Sequence, residues 1–250
     1  MLIRQITGVA AVVAAVAGLV ACGSASAPAA GGGVVGYLDA VTAQSPREDG
    51  LAAATLPPSM TGAKLLVAIA MGDGPDNPPT QHTVLSDTGN HQWTLRDHHI
   101  VFGSIIDVYT APGTGSEVGS VVSSELTIKR GDEGHQLTVL AYRNGRFDST
   151  TDRNGNLGLP QLSQTVPAGE DVLTMFGDGR HNDPITLVPG FRAVAVFPVD
   201  GGPGGDHDLY QVSHLDPPGS LPGGQMLTGN LAPPGSDYWG LVNVNIAPAS

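Results

Sequence analysis

Residues 241–246 read Leu-Val-Asn-Val-Asn-Ile, and this alternation of apolar and polar side chains decides the fold class. Successive side chains of a β-strand point to opposite faces, so such a segment places its valines on one face of a sheet. The same two-residue rhythm occurs in segments 125–129, 137–142 and 192–197. The sequence therefore predicts half-buried β-strands.

Glycine and proline interrupt the chain too often for long helices. The protein has 35 Gly and 20 Pro, and after residue 33 the longest stretch without either is residues 90–102. That stretch itself reads as strand around a polar turn, and segments 72–79, 143–158 and 200–206 read as loops. Twelve or so short strands predict an all-β protein, an antiparallel β-sandwich that is jelly-roll-like.

A weak internal repeat divides the predicted sandwich. Residues 66–78 resemble residues 172–184, since each is an apolar strand followed by Met71-Gly72-Asp73-Gly74 or Phe176-Gly177-Asp178-Gly179 and a polar loop. Each half then closes on an apolar strand, at 137–142 or 241–246. We predict two related halves of one sandwich, about residues 37–147 and 155–248, with chance similarity as the alternative.

The N-terminus has the layout of a secretory signal. Arg4 precedes an apolar run, residues 9–21, that is shorter than the roughly 18 to 20 residues of a membrane-spanning helix. The run ends in Leu19-Val20-Ala21-Cys22, which resembles the lipobox of bacterial lipoproteins. That resemblance implies a signal-peptide helix over residues 1–21, removed on export. It also implies attachment of Cys22 to diacylglycerol, with palmitate as a typical acyl chain.

A flexible tether is expected between the lipid and the folded domain. Residues 22–36 are mostly Gly, Ala and Ser, and a coil of about a dozen residues reaches on the order of 20 Å. The single β-sandwich domain is predicted over residues 37–250. These features predict an extracytoplasmic protein that is lipid-anchored to the cell membrane through Cys22.

Charge and cysteine content exclude several functions. Without residues 1–21 the chain has 10 basic and 23 acidic residues, a net charge of −13, so nucleic acid is not an expected partner. Cys22 is the only cysteine, so the mature domain has neither a disulfide nor a thiolate metal site. Stability must therefore come from the core.

Packing and turn residues resemble a β-sandwich domain that is repeated in secreted proteins of high-GC Gram-positive bacteria. The matching segments are Leu65-Leu66-Val67-Ala68, Gly89-Asn90 with Trp93-Thr94-Leu95, Tyr109-Thr110-Ala111-Pro112, Leu137-Thr138-Val139 with Ala141-Tyr142, and Trp239 with Leu241-Val242. This chain has Tyr109 where the family pattern has Trp, and it has one copy of the domain. The resemblance implies the sandwich fold, and it supplies no catalytic residues that can be assigned to positions of this chain.

Six aspartates in loops could bind calcium. Calcium prefers six to eight oxygen ligands, and no cofactor other than this ion is expected. The loops do not match the EF-hand spacing, and Asp-Gly is a common turn sequence, so a structural role in turns stays open. The candidate ligands are Asp73, Asp76, Asp178, Asp183, Asp206 and Asp208.

Aromatic and histidine side chains near loops are candidates for ligand binding. Trp93 and Trp239 lie in strand patterns and are expected in the core, whereas other rings could stack on a sugar or contact a partner. Adjacent His98 and His99 should point to opposite faces, which disfavours a zinc site. The candidate ligand-binding residues are Tyr210, Tyr238, His181 and His207.

Two functional hypotheses follow. No Gly-x-Ser-x-Gly, phosphate-binding or His-Glu-x-x-His motif occurs, so we favour a non-catalytic binding or structural module of the cell envelope. Its partner would be a cell-wall glycan, another ligand or an envelope protein. The alternative is a secreted hydrolase with an Asp-rich or metal-assisted site.

Overall fold

The fold consists almost entirely of β-strands. The computed structural model describes residues 33–45, 51–73, 82–101, 104–115, 117–127, 134–178, 186–200, 207–220, 223–229 and 238–249. Within these ranges there are fifteen strands, one 3-10 helix at Pro58–Met60 and no α-helix. The predicted all-β class is confirmed. The predicted signal-peptide helix, Cys22 and most of the tether lie outside the described residues.

Eight strands form the first half of the described fold. Five of them build a central antiparallel sheet in the order β1-β8-β3-β6-β5, and three build an outer sheet in the order β2-β7-β4. The strands are β1 (Tyr37–Ser45), β2 (Leu51–Thr55), β3 (Leu65–Asp73), β4 (Thr83–Asp87), β5 (Thr94–Val101), β6 (Ser104–Pro112), β7 (Val121–Leu126) and β8 (His135–Tyr142).

Seven strands form the second half and repeat the same topology. Their central sheet has the order β9-β15-β11-β13-β12, and β10 pairs with β14 in an outer sheet of two strands. In both halves the first strand pairs with the last and the last with the third, as in a jelly roll. The strands are β9 (Gly145–Gly155), β10 (Gln161–Val166), β11 (Asp171–Asp178), β12 (Phe191–Asp200), β13 (His207–Leu215), β14 (Gly224–Gly229) and β15 (Trp239–Pro248).

The sheets stack in four layers. Val67, Ile106 and Leu140 of the first central sheet pack against Met175 and Val244 of the second, in the largest apolar cluster. Each outer sheet then covers the far face of its own central sheet through further buried apolar residues. Both central sheets are therefore covered on both faces. Buried apolar surface stabilises a folded protein by about 25 cal/mol per Å², so this packing is the main stabilising contribution.

Several strand predictions need correction. Segment 143–158, predicted as a loop, contains the edge strand β9, whose polar and mostly exposed sequence carries turn-forming residues but pairs with β15 along its length. Residues 137–142 and 241–246 are buried on both faces rather than half-buried, because outer sheets cover them. Residues 94–101 form one strand, with a β-bulge between Leu95 and Asp97 in place of the predicted turn.

Among the described residues, no helix has the length and apolar character needed to cross a bilayer.

Candidate functional site: a cationic cleft between the two halves

A cleft opens at the edge where the two central sheets meet. It has a volume of about 440 Å³, and its walls come from the start of β3, the start of β5, the end of β6 and the start of β9. Three cationic side chains, Lys64, Arg96 and Arg146, line it, together with Gln92 and the hydroxyls of two threonines. No carboxylate belongs to the lining that the structure describes. The described lining of the cleft is therefore positively charged, whereas the whole chain has a net charge of −12.

Arg96 is held in place by the β-bulge of β5. Leu95 pairs with Tyr109 and Asp97 pairs with Val108, so Arg96 is the extra residue between them. A bulge bends its strand and redirects a side chain. The Nε of Arg96 donates a 2.8 Å hydrogen bond to the Thr110 hydroxyl, which leaves both terminal nitrogens of the guanidinium for a ligand.

Phe147 supports the Arg96 guanidinium from the second half of the protein. The guanidinium carbon lies 5.2 Å from the centre of the Phe147 ring, within the range of a cation–π contact. A contact of this kind contributes about 0.5 to 2 kcal/mol. Arg96 therefore has a hydrogen bond from its own half and a ring contact from the other half of the protein.

Lys64 and Arg146 supply the other two positive charges of the cleft. The backbone of Lys64 is fixed, because its N–H donates to the Tyr142 carbonyl at 2.7 Å and its carbonyl accepts from Gly113 at 3.0 Å. Arg146 contacts Asp148 at 3.1 Å, but its side chain is 57% exposed, and exposed ion pairs contribute at most about 1 kcal/mol. Arg146 can therefore exchange this partner for a ligand at small cost.

Backbone geometry next to the cleft depends on Gly145. A Cβ atom built on Gly145 would lie 2.9 Å from Cγ2 of Ile246 and 2.9 Å from Cβ of Tyr142, closer than side chains tolerate. Only glycine allows the chain to pass here from β8 into β9. The turn thus brings Arg146 and Phe147 against the first central sheet.

The chain enters the fold beside the cleft. The side-chain amide of Asn144 donates a 2.8 Å hydrogen bond to the Val34 carbonyl, and its Oδ1 accepts from the Gly36 N–H at 2.5 Å. Asn144 directly precedes Gly145, which lines the cleft. A ligand in the cleft would therefore lie next to the segment that continues towards Cys22 in the sequence.

The arrangement is suited to recognition of an anion. A guanidinium presents a planar set of donors that matches carboxylate and phosphate oxygens, and a lysine ammonium adds a compact charge. The cleft volume falls within the roughly 300 to 1,000 Å³ of common ligand sites. The described lining offers cations, hydroxyls and an amide, which are groups that bind anions and sugar hydroxyls.

The aspartates predicted to bind calcium are only partly described. Asp76, Asp183 and Asp206 lie outside the described residues, and only the backbone of Asp73 is described, at the end of β3. Asp178 pairs with Leu209, and Asp208 is the residue before Leu209 in β13. The side chains of Asp178 and Asp208 therefore project from opposite faces of their sheet. The described residues include no group of three or more His, Cys, Asp or Glu that could hold a metal. Calcium binding stays a prediction.

The predicted ligand-binding residues lie apart from the cleft. Tyr210 is completely buried between the central sheets, and its hydroxyl donates to Asp208 at 3.3 Å, so its ring does not face a ligand. Tyr238 is half-buried just before β15. His181 lies outside the described residues, and only the backbone of His207 is described, at the start of β13.

The predictions for the tryptophans and the adjacent histidines are confirmed. Trp239 is 1% exposed and packs in the core, and Trp93 packs half-buried against the core of the first half. His98 and His99 point to opposite faces, since His98 contacts Asp107 whereas His99 reaches across to the second half.

Two histidine contacts could be mistaken for catalytic pairs. His98 lies 2.6 Å from Asp107, but the same carboxylate also accepts from the N–H and hydroxyl of Thr83, which ties the outer sheet to β6. Ser124 and His135 lie 3.0 Å apart, and both are completely buried. The first pair connects β5 to β6, and the second connects the outer strand β7 to β8 of the central sheet.

A buried polar cluster lies between the central sheets. Burial raises the pKa of Asp171 to about 7, although the 2.9 Å hydrogen bond from the Tyr142 hydroxyl and backbone N–H groups oppose the shift. His214 stacks on Tyr37 with ring centres 4.6 Å apart, and burial lowers the pKa of its imidazole. Both ring nitrogens of His214 are buried and have no hydrogen-bond partner in the part of the chain that the structure describes.

Sequence reasoning missed the cationic cleft. Lys64, Arg96 and Arg146 are far apart in the chain and follow no motif. The available signal was the small number of cationic residues, 11 in 250. Because they are so few, three of them in one cleft indicate a specific site. Only the strand order brings the three together.

No protein-family model, curated protein or solved structure matches this chain.

Proposed function

We propose that this protein is a non-catalytic binding module of the bacterial cell envelope, lipid-anchored outside the cytoplasm, whose ligand is an acidic cell-wall glycan. The observation that carries the proposal is the convergence of Lys64, Arg96 and Arg146 on one cleft. In an acidic protein such a site attracts anions while the remaining surface repels them, so charge itself provides selectivity.

The expected location comes from the sequence. Leu19-Val20-Ala21-Cys22 supports lipid attachment, and diacylated anchors hold a protein firmly at a membrane. Because Asn144 fixes the chain at Val34, the cleft would lie within a tether's length of the lipid, on the order of 20 Å. The ligand would then be a polymer that reaches the outer surface of the membrane.

The cleft chemistry defines the ligand class. Carboxylates of uronic acids or phosphodiesters of a wall polymer would meet the free nitrogens of Arg96, with Lys64 and Arg146 beside them. The amide of Gln92 and the threonine hydroxyls can accept or donate hydrogen bonds to sugar hydroxyls.

Calorimetric titration of the lipid-free mature protein tests this ligand class. The probes are a uronic-acid oligosaccharide, a glycerol-phosphate oligomer and a neutral oligosaccharide of equal length. We expect at least one acidic probe to bind and the neutral probe not to bind. Equal affinity for neutral and acidic probes, or binding of neither acidic probe, would contradict the proposal.

Matched charge variants test the cleft. Arg96→Gln should weaken binding of the acidic probe by about 10-fold or more, since a hydrogen bond to a charged group contributes roughly 1.5 to 3 kcal/mol. Arg192→Gln is the control, because Arg192 is 62% exposed on β12, at the opposite edge of the sandwich. An equal loss in both variants would show that only overall charge matters.

The anchor has a separate test. The mass of the mature N-terminal peptide, isolated from membranes of the native host, should correspond to Cys22 carrying diacylglycerol. An uncut leader, or a mature chain whose Cys22 bears no lipid, would overturn the proposed location without affecting the cleft.

A further inference from the structure

The two halves differ in their outer sheets. In the first half, β7 is flanked on one side by β2 and on the other by β4. In the second half, β14 occupies the position of β7 and pairs with β10 alone. Among the described residues, the second half therefore has no strand at the position that β4 fills in the first.

A short turn explains the missing strand. The chain approaches β14 at Val188, whose N–H donates a 3.2 Å hydrogen bond to the Gly229 carbonyl. Pro189 and Gly190 then form a turn, in which Gly190 has a φ of +92°, and Phe191 begins β12. In the first half the equivalent segment continues as β4 for five residues.

The vacant side of β14 has unpaired backbone groups. In β7 the backbone N–H and C=O groups of the odd-numbered residues point towards β4, since the Val121 carbonyl accepts a hydrogen bond from the Thr88 N–H at 3.1 Å. In β14 the even-numbered Met226 and Thr228 are buried and Gln225 and Leu227 are exposed, the same pattern as in β7, so the N–H and C=O groups of Gln225 and Leu227 point towards this edge. Within the described residues, no backbone group pairs with them there.

An apolar groove runs along this edge. It has a volume of about 410 Å³ and is lined chiefly by Val188, Phe191, Leu215, Met226 and Leu227. Leu227 is 44% exposed, and no charged side chain belongs to the described lining. The groove and the unpaired backbone edge together have the features of a site for strand addition.

We propose that the second half binds an extended, uncharged segment of a partner protein, which adds to β14 as a third strand. The first half shows the bound arrangement, because β4 pairs with β7 at the equivalent edge and places Leu85 against the core. The uncharged lining favours a segment whose inward side chains are apolar. The tether fits poorly, since residues 23–33 contain only Gly, Ser, Ala and Pro and could not fill the groove.

The chain itself supplies the probe for this site. A labelled peptide with the sequence of residues 82–88, in which Asn replaces Asp87 to remove its charge, reproduces β4, the strand that occupies the equivalent position. Fluorescence polarisation should show saturable binding of this peptide to the full mature protein. Absence of binding at millimolar peptide would overturn the proposal.

Backbone methylation of the peptide separates strand addition from general adhesion. Residues 84 and 86 should face β14, as they face β7 in the first half, and N-methylation there should weaken binding at least 10-fold. N-methylation at residues 83 and 85 should have little effect, because those N–H groups point away. Equal effects of the two modifications would overturn the proposal.

A protein variant tests the same edge. Leu227→Pro removes an N–H that faces the groove and leaves the bonds to β10 intact, so the variant should fold and lose peptide binding. Leu227→Val should fold and retain binding. Circular dichroism and the melting temperature confirm the fold. If Leu227→Pro folds and binds as wild type does, the proposal fails.

Two further measurements distinguish other occupants. A chain that begins at Gly33 should bind the peptide as the mature protein does, whereas a marked gain in affinity would assign the groove to the tether. Sedimentation should show a monomer. A dimer that Leu227→Pro dissociates would assign the groove to a second copy and overturn the proposal. Neither result depends on the cationic cleft.

Discussion

The side-chain amide of Asn243 donates a 2.8 Å hydrogen bond to the hydroxyl of Thr228, and this contact joins the second central sheet to its outer sheet. The Asn243 carbonyl oxygen accepts from Thr174 at 3.0 Å. All three residues are at most 2% exposed. Asn243 lies in β15, and the polar positions of this strand therefore form a buried hydrogen-bonded seam rather than a face in contact with solvent.

Replacing Asn243 should strongly destabilise the protein. Asn243→Ala removes hydrogen-bond partners of the buried Thr174 and Thr228 hydroxyls and creates a cavity, so we expect a loss of about 2 to 4 kcal/mol. Urea unfolding measures this loss. The control is Thr151→Ala, since Thr151 pairs with Asn243 on the exposed edge strand β9 and should change stability by less than about 0.5 kcal/mol. Equal losses would contradict a buried seam.

The same strand shows how far sequence reasoning extends. The alternation at residues 241–246 correctly predicted a strand, because side-chain period is a local property. It could not reveal that a second sheet covers the asparagines, since buried polar residues with hydrogen-bond partners resemble solvated ones in sequence. Edge strand β9 was missed for a related reason, because its polar residues pair with β15 without entering a core.

The cleft was beyond sequence reasoning for a different reason. Arg96 lies in a β-bulge, which displaces one residue and has no signature in the surrounding residues. Its partner Phe147 belongs to the other half of the chain. Positions of this kind depend on how the two central sheets stack, and strand patterns do not specify that stacking.

Stability should fall as pH rises through the pKa of Asp171. An unfolded aspartate titrates near 3.9, whereas burial raises the native pKa of Asp171 to about 7. The native state therefore holds a proton that the unfolded state has released, so this stabilising contribution is complete below about pH 4 and lost by about pH 7. Asp171→Asn should remove this pH dependence. Its free energy of unfolding relative to wild type should therefore be larger at pH 8 than at pH 5, which urea unfolding at the two pH values measures. A constant difference would contradict the assignment.

His214 should have the opposite pH dependence. Burial lowers the pKa of its imidazole below the unfolded value near 6.5, so its contribution is complete above that value and lost as pH falls through the native pKa. His214→Phe keeps the ring stacked on Tyr37 and loses no hydrogen bond. The variant should match wild type at pH 8 and be more stable at pH 5, by thermal melting at each pH. A large loss at pH 8 would reveal a partner of the imidazole.

Geometry as well as charge should matter at Arg96. Arg96→Lys keeps the charge but loses the hydrogen bond to Thr110, the planar contact with Phe147 and the paired terminal nitrogens. We expect the affinity for an acidic oligosaccharide to fall about 10-fold, equivalent to about 1.4 kcal/mol, with the salt dependence of binding unchanged. Arg96→Gln should lower both the affinity and the salt dependence, because it also removes a charge. Titrations at two salt concentrations separate these effects, and a lysine variant that binds as well as wild type would mean that charge alone determines recognition.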